Sequence, residues 1–314
     1  MSNNKANLAF IFPGQGSQSV GMMDDLAAHT PIIEETFKEA GDALGIDLWG
    51  LVCDGPEETL NQTDHTQPAM LAAGVATWRA WNEAGGARPA IMAGHSLGEY
   101  TALVCAGAMG FADAVKLVAQ RGRFMQEAVP AGEGAMAAVL GLDDQAVVDA
   151  CESASEGDVV AAVNFNAPGQ VVIAGARAAV DRAMEACKAA GAKKVMPLPV
   201  SVPSHCALMA PAAERLADVL KDITLDAPAI PVLHNVDVQS TDDPEQIRQR
   251  LVAQLHSPVR WVETIQSMVD RGVEQMVECG PGKVLAGLNR RIQRRLPIVA
   301  LADTKSLQKA AENQ

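Results

Sequence analysis

The pentapeptide Gly94-His95-Ser96-Leu97-Gly98 constrains the fold of this chain more than any other segment. It follows a short apolar run at 90–93 and precedes a helical pattern over 99–106, which indicates a sharp strand-to-helix turn. Glycines on both sides of the serine allow the backbone to pass close to its neighbours, and the turn then exposes the serine hydroxyl. The pattern predicts a nucleophilic serine at 96; a serine that only caps the helix is the alternative.

Short apolar strands alternate with amphipathic helices in most of the chain, which is typical of a parallel α/β sheet. The strand patterns lie at 8–12, 90–93, 230–234 and 274–279. Between 129 and 200 the order changes to β-α-β-β-α-β, the order of a ferredoxin-like unit, with 164–169 connecting its middle strands. We therefore expect a discontinuous large α/β domain, 1–128 plus 201–314, with a ferredoxin-like small domain, 129–200, inserted and a cleft between the two.

Composition and charge exclude several classes of protein. The net charge of −13 argues against a general nucleic-acid binder. The six cysteines form no CxxC pair, so neither a zinc site nor another metal site is expected, and we predict buried thiols in a reduced, cytoplasmic protein. Residues 1–6 lack a signal-peptide pattern and no apolar run reaches the roughly 18 residues of a membrane span, so no membrane association is expected.

A serine nucleophile requires a base, and two histidines are candidates. His205 lies where the chain re-enters the large domain, at a strand end of the kind where α/β sites collect. His234 ends an apolar strand and is the alternative, either as base or as a buried core residue. No Asp or Glu is evident as a third member, so a backbone carbonyl could orient the imidazole instead.

Arg121 interrupts the apolar face of a predicted helix over 111–128. An arginine in that position must extend to solvent, pair with an internal acid or bind an anionic ligand. Its planar fork suits a carboxylate. The helix follows directly on the one that begins at the serine, which favours a substrate carboxylate, but the pattern leaves an internal ion pair equally open.

Seven segments together resemble one family. They are 12–18, 66–68, 94–100, 120–125, 163–166, 203–205 and 280–282. On these segments the chain resembles the bacterial malonyl-CoA:acyl-carrier-protein transacylases of fatty-acid synthesis, from residue 8 to about 295. The resemblance implies a hydrolase-like large domain with a ferredoxin-like insert.

The resemblance also implies a set of catalytic roles. Ser96 would be the nucleophile and His205 the base. Gln254 would orient His205 through its backbone carbonyl. Gln15 would position the substrate beside an oxyanion hole in which the Leu97 N–H is the main donor.

For the substrate, the resemblance implies malonyl-CoA and the phosphopantetheine thiol of acyl carrier protein, with no tightly bound cofactor and a monomeric enzyme. Arg121 would hold the malonyl carboxylate. Gln67 would line the pocket, and Asn164 or Asn166 would contribute from the small domain.

A docking patch for acyl carrier protein must be local, because such carriers are typically acidic and this chain is acidic too. The candidates are two basic clusters, Lys193 with Lys194 and Arg290 with Arg291, Arg294 and Arg295. Ordinary solvated faces are the alternative for each cluster.

Three other functions stay open on the sequence. A serine esterase or thioesterase has the same turn around its nucleophile. A stand-alone acyltransferase of polyketide synthesis would use another extender unit. A non-catalytic binding or scaffold protein would form no acyl adduct.

Overall fold

The computed structural model describes residues 4–200 and 202–312. The strands in these ranges are β1 (Asn4–Phe12), β2 (Arg88–Gly94), β3 (Gly134–Leu140), β4 (Val160–Ala167), β5 (Gln170–Ala176), β6 (Lys194–Pro197), β7 (Val232–Leu233), β8 (Gln275–Glu278) and β9 (Ile298–Ala300). The helices are α1 (Asp24–His29), α2 (Ile32–Leu44), α3 (Leu48–Asp54), α4 (Glu57–Leu60), α5 (Thr63–Glu83), α6 (Leu97–Cys105), α7 (Phe111–Ala128), α8 (Asp144–Ala154), α9 (Arg177–Ala189), α10 (Ala210–Leu220), α11 (Pro244–Gln254), α12 (Trp261–Asp270), α13 (Val284–Ile292) and α14 (Thr304–Glu312). A 3₁₀ turn, Ala207–Met209, precedes α10.

The larger sheet has the strand order β7-β2-β1-β8-β9, and every pairing in it is parallel. Side chains of β1 alternate between two cores. Leu8, Phe10 and Phe12 pack against helices that include α2, α5 and α7, whereas Ala9 and Ile11 pack against α12 and α13. Because helices cover both faces, the second half of β1, residues 8–12, is apolar at every position rather than at every second residue. The predicted α/β class is confirmed.

The smaller sheet is antiparallel, with the order β4-β5-β3-β6. Helices α8 and α9 cover one of its faces, and the other face packs against Cys206 and Leu208 of the larger body. The elements follow the chain as β3-α8-β4-β5-α9-β6. The domain boundaries at 128/129 and 200/201 stay a prediction; Ser201 and the terminal residues 1–3 and 313–314 lie outside the described residues.

The predicted connection at 164–169 is wrong. Strand β4 continues to Ala167, so only Pro168 and Gly169 form the turn to β5. The polar residues of this segment are held in the strand by pairing on both sides: Ala167 pairs with Gln170 of β5, and Asn164 bridges Val259 of the larger body. Asn164 and Asn166 therefore belong to a strand that reaches the larger body, not to a loop.

Candidate active site

Ser96 occupies a strained turn between β2 and α6. Its φ is +51°, which lies in the left-handed region that residues other than glycine rarely adopt. A Cβ atom on Gly94 would lie 1.8 Å from the Gly98 carbonyl carbon, and one on Gly98 would lie 2.1 Å from the Phe12 oxygen. The two glycines are thus required by backbone packing, and the turn projects the Ser96 side chain beyond the end of the sheet.

The segment after β1 runs alongside this turn. Phe12 pairs with Gly94 in register, so the carboxyl ends of these neighbouring parallel strands meet at one edge of the sheet. A Cβ on Gly14 would lie 2.4 Å from the His95 oxygen and 3.7 Å from the Leu97 nitrogen. Gln15 is consequently brought beside Leu97, whose N–H is at the start of α6, where helical N–H groups lack intrahelical acceptors.

Ser96 and His205 are in direct contact. Ser96 Oγ lies 2.8 Å from His205 Nε2, and His205 Nδ1 lies 2.8 Å from the Gln254 carbonyl oxygen. Because a carbonyl oxygen can only accept, Nδ1 carries the proton and Nε2 is left to accept from the serine hydroxyl. The backbone N–H of His205 also donates to the Leu255 oxygen at 3.0 Å. Hydrogen bonds from both its backbone and its side chain therefore hold His205 in place.

Burial, followed by the positive charge of Arg121, lowers the pKa of His205 to about 3. The imidazole is therefore neutral near pH 7, and a neutral imidazole is the form that can take a proton from a hydroxyl. His205 combines the geometry and the protonation state of a general base.

Arg121 of α7 is only 1% exposed. Nη1 donates to Gln67 Oε1 at 2.8 Å, and Nη2 donates to Gln254 Oε1 at 3.0 Å and to Ser96 Oγ at 3.3 Å. Among the described residues no carboxylate lies within 4.0 Å of the guanidinium, and its buried Nε has no hydrogen-bond partner. The internal ion pair that the sequence left open is therefore not formed there, and a buried cation faces the candidate nucleophile.

A cavity of about 340 Å³ opens above these groups. Gln15, Ser96 and Arg121 line it from the larger body, and Met136 and Asn164 line it from the small sheet. Gln67 lies behind Arg121, where it is fully buried. The cavity thus lies between the two sheets and has both a nucleophile and a cation in its wall.

The two asparagines of β4 have different environments. Asn164 lines the cavity, and its buried Oδ1 has no hydrogen-bond partner. Asn166 Oδ1 lies 2.8 Å from His95 Nε2, so Asn166 pairs with His95 rather than lining the cavity. Burial lowers the pKa of His95, which packs its ring against Trp261. Of the pair, Asn164 is placed to meet a ligand.

The basic clusters meet at the end of the small sheet. All the side chains in the two clusters are exposed. The Lys193 side chain lies against Gly141, and the Gly141 N–H donates to the Gly169 oxygen. Arg291 donates to the Pro168 oxygen and to Gln170 Oε1. The turn between β4 and β5 therefore lies between Lys193 of one cluster and Arg291 of the other.

Sequence reasoning missed a buried polar group under the turn. Asn235 accepts from the Ser96 N–H at 2.8 Å and donates to the Gly94 oxygen at 2.7 Å. Glu99 Oε1 lies 2.7 Å from Nδ1 of His234, the alternative base, which therefore pairs with a carboxylate and not with Ser96. One signal was available: residues 234–235 follow directly on an apolar strand, at the sheet edge where functional groups collect.

Within residues 4–200 and 202–312, no group of three or more His, Cys, Asp or Glu side chains is arranged to hold a metal ion. None of the helices in that part of the chain has both the length and the apolar character needed to cross a membrane. All six cysteines are free thiols.

Comparison with known proteins places this geometry in a family. The pattern of the family described as "Acyl transferase domain" matches residues 9–302. The malonyl CoA-acyl carrier protein transacylase of Escherichia coli K12 is 60% identical over 304 residues, which cover 97% of this chain and 98% of the relative. The crystal structure of an acyl carrier protein S-malonyltransferase from Vibrio cholerae is 57% identical, with a TM-score of 0.95 over 96% of this chain and 99% of the other.

A further solved structure holds a malonyl-transacylase in complex with a type II PKS acyl-carrier protein. It is 56% identical, and its TM-score is 0.97 over 98% of this chain and all of that one. The resemblance identified from the seven sequence segments is confirmed by these matches. With a match that spans nearly its whole length, the chain belongs to the acyl transferase domain family.

Proposed function

We propose that this protein transfers a malonyl group from malonyl-CoA to the phosphopantetheine thiol of acyl carrier protein, through a malonyl ester of Ser96. One observation carries the proposal. The buried Arg121 guanidinium, without a carboxylate partner among the described residues, lies 3.3 Å from the oxygen of a serine that is paired with a neutral histidine. Such a site suits an acyl group that bears its own carboxylate.

In the first half-reaction, His205 Nε2 takes the Ser96 proton while Oγ attacks the thioester carbonyl carbon of malonyl-CoA. The carbonyl oxygen becomes an oxyanion, for which the Leu97 N–H at the start of α6 is the donor and beside which Gln15 positions the substrate. The C–S bond then breaks, and the coenzyme A thiolate takes the proton from His205. The product is malonyl-Ser96.

Gln254 takes the place that an acid holds in other serine enzymes. Its carbonyl accepts from His205 Nδ1 at 2.8 Å, which keeps the reactive nitrogen toward Ser96 and stabilises the imidazolium that forms. A carbonyl dipole stabilises the imidazolium less than a carboxylate would. The carbonyl therefore offsets only part of the lowering of the His205 pKa by burial.

The second half-reaction uses the same atoms in reverse. The pantetheine thiol gives its proton to His205, its sulfur attacks the ester carbonyl, and Ser96 leaves with that proton. The bound acyl group is held by Arg121, which Gln67 orients, and Asn164 offers an unpaired oxygen on the opposite wall. Neither half-reaction needs a resident cofactor, because all bond changes occur between the substrates and Ser96.

One chain supplies every group in this scheme, so we propose that the protein acts as a monomer. The free thiols and the carrier-dependent reaction favour a cytoplasmic location. Transfer to a carrier of polyketide synthesis is a second candidate, because one of the similar structures is bound to a type II PKS carrier.

Brief mixing with malonyl-CoA, followed by mass spectrometry of peptides, tests the proposal. We expect a malonyl adduct on the peptide that contains Ser96, lost in Ser96→Ala and transferred when carrier protein with its phosphopantetheine arm is added. An adduct elsewhere, or none, would contradict the proposal. Release of free malonate as the main product would favour a hydrolase. Comparison of fatty-acid and polyketide carriers as acceptors separates the two pathways.

A further inference from the structure

Glu99 is a fully buried carboxylate to which the proposed reaction gives no task. It lies in the first turn of α6, three residues after Ser96, and its exposure is 0%. Its oxygens accept from three groups: His234 Nδ1 at 2.7 Å, the Asn235 N–H at 2.9 Å and Gln254 Nε2 at 2.9 Å. A buried carboxylate is costly unless its acceptors are filled, so its presence here requires an explanation.

Two of the three partners hold the backbone of the nucleophile. Asn235 accepts from the Ser96 N–H, and Gln254 Nε2 donates to the Ser96 carbonyl oxygen at 3.1 Å. Both polar groups of the strained Ser96 backbone therefore bond to side chains of residues that the Glu99 carboxylate contacts, and the Ser96 oxygen also accepts from the Glu99 N–H at 3.1 Å. The Glu99 carboxylate thus links Asn235 and Gln254 through hydrogen bonds to the same oxygen, Oε2.

Glu99 is one of three groups that fix which way the Gln254 amide faces. Nε2 of Gln254 lies between two oxygens that only accept, the Glu99 carboxylate and the Ser96 carbonyl. Oε1 is consequently left to face Arg121 Nη2 at 3.0 Å. With the amide reversed, its NH₂ group would meet the guanidinium donors, and its oxygen would meet the carboxylate.

We infer that Glu99 is a positioning residue that sets acyl selectivity: its carboxylate locks the Gln254 amide, and the locked amide aims the Arg121 guanidinium at the malonyl carboxylate beside Ser96. Glu99 touches neither substrate nor reacting atom. It acts through Gln254, the residue that contacts both Arg121 and His205. The inference rests on the proposed function, because selectivity is defined by malonyl transfer.

The test compares kcat/KM for malonyl-CoA with kcat/KM for acetyl-CoA. Glu99→Ala removes the charged one of the two acceptors of Gln254 Nε2, so we expect the malonyl-to-acetyl ratio to fall about tenfold, the effect of one hydrogen bond to a charged group. Glu99→Gln keeps an acceptor for Gln254, since its NH₂ can face His234 after a change of tautomer. It should restore most of the ratio.

His234→Ala is the matched control. It opens a comparable space against the same carboxylate, on the side away from Gln254. Thermal unfolding should show a loss of stability in both alanine variants, whereas only Glu99→Ala should lose selectivity. If Glu99→Ala does not fold, Glu99→Asp serves instead, because it keeps the charge and withdraws it from Gln254.

An unchanged malonyl-to-acetyl ratio in Glu99→Ala or Glu99→Asp would overturn the inference, whether both activities are kept or both fall by the same factor. The Ser96 adduct of the unaltered protein separates the two levels. If that adduct does not form, the proposed function fails. If it forms and the ratio does not move in the variants, only the role of Glu99 fails.

Discussion

Arg121 lies on α7 and Ser96 in the turn before α6, and Nη2 of the arginine is 3.3 Å from the serine oxygen. Arg121 projects from the apolar face of α7, and its guanidinium carbon lies 5.3 Å from the centroid of the Tyr100 ring. Apart from the contact with Ser96, its hydrogen bonds go to the neutral amide oxygens of Gln67 and Gln254. Nε stays without a partner, and the charge has no counterion among the described residues. An acyl group on Ser96 would meet this uncompensated charge.

Replacement of Arg121 by Ala should therefore weaken malonyl transfer far more than acetyl transfer. We expect kcat/KM for malonyl-CoA to fall by at least a hundredfold, since a buried charge-assisted pair is worth about 3 kcal/mol. Acetyl-CoA, which has no carboxylate, should be used as well as before or better. Steady-state rates with both substrates provide the measurement, and undiminished malonyl transfer would contradict the role of the arginine.

The lowered pKa of His205 predicts an unusual pH dependence of the Ser96 acylation rate on the acid side of neutrality. For a histidine with an ordinary pKa near 6.5, the neutral fraction would fall about 25-fold on going from pH 7 to pH 5. With the pKa lowered to about 3 by burial and by Arg121, the rate of Ser96 acylation should stay nearly level over that interval. Single-turnover acylation followed by quenched flow measures this, and a fall centred near pH 6.5 would show that burial does not shift His205.

The same shift predicts how stability depends on pH. Between the folded pKa of about 3 and the unfolded value near 6.5, the unfolded chain binds the His205 proton and the folded chain does not. The contribution of His205 to the free energy of unfolding is therefore lost progressively as the pH falls below 6.5. Urea unfolding at pH 7.5 and 5 should show a smaller loss in His205→Gln than in the unaltered protein; equal losses would contradict the shift.

Local patterns predicted much of this fold, because the apolar strands and the turn around Ser96 are determined by nearby residues. The extension of β4 through Asn164 and Asn166 could not be read in that way, since pairing with β5 and Val259 holds polar residues in a strand. The predicted contacts of Ser96 with His205 and Arg121 are present in the structure, whereas the catalytic roles stay predictions.

The position of Glu99 shows which part of the site could not be predicted from local sequence patterns. An acid in the first turn of a helix normally faces solvent and favours the helix N-terminus. Its burial here depends on partners at 234, 235 and 254, more than a hundred residues away in the chain. Such a network can be found only after the strands are placed side by side.

The turn around Ser96 predicts a sharp contrast between two Gly→Ala variants. At Gly94 the added methyl group would lie 1.8 Å from the Gly98 carbonyl carbon, so α6 would have to move, at a cost of about 3 kcal/mol or more. At Gly287, inside α13, nothing lies within 4 Å, and Ala should stabilise the helix by about 0.5–1 kcal/mol. Chemical unfolding of both variants checks this, and a Gly94→Ala protein of unaltered stability would contradict the packing argument.

The surface formed by the two basic clusters predicts where the carrier protein docks. Lys193, Lys194 and Arg290 are exposed, and the cavity-lining residues Met136 and Asn164 lie on strands that lead from this surface to Ser96. Met136 and Leu140, the residue that pairs with Lys194, are four positions apart on β3, which corresponds to about 13 Å along the strand. A flexible phosphopantetheine arm can span that distance.

Charge reversal at Lys193, Lys194 and Arg290 together should therefore raise KM for acyl carrier protein by about tenfold or more, because complementary charges steer the encounter. Formation of malonyl-Ser96 from malonyl-CoA should change much less, and added salt should reduce the difference between variant and unaltered protein. Lys38→Glu, on α2 and outside the cavity lining, is the control for reversal of one surface charge and is compared with Lys193→Glu alone. If reversal of the clusters leaves transfer to the carrier unchanged while the adduct still forms, the carrier docks elsewhere and these side chains belong to ordinary solvated faces.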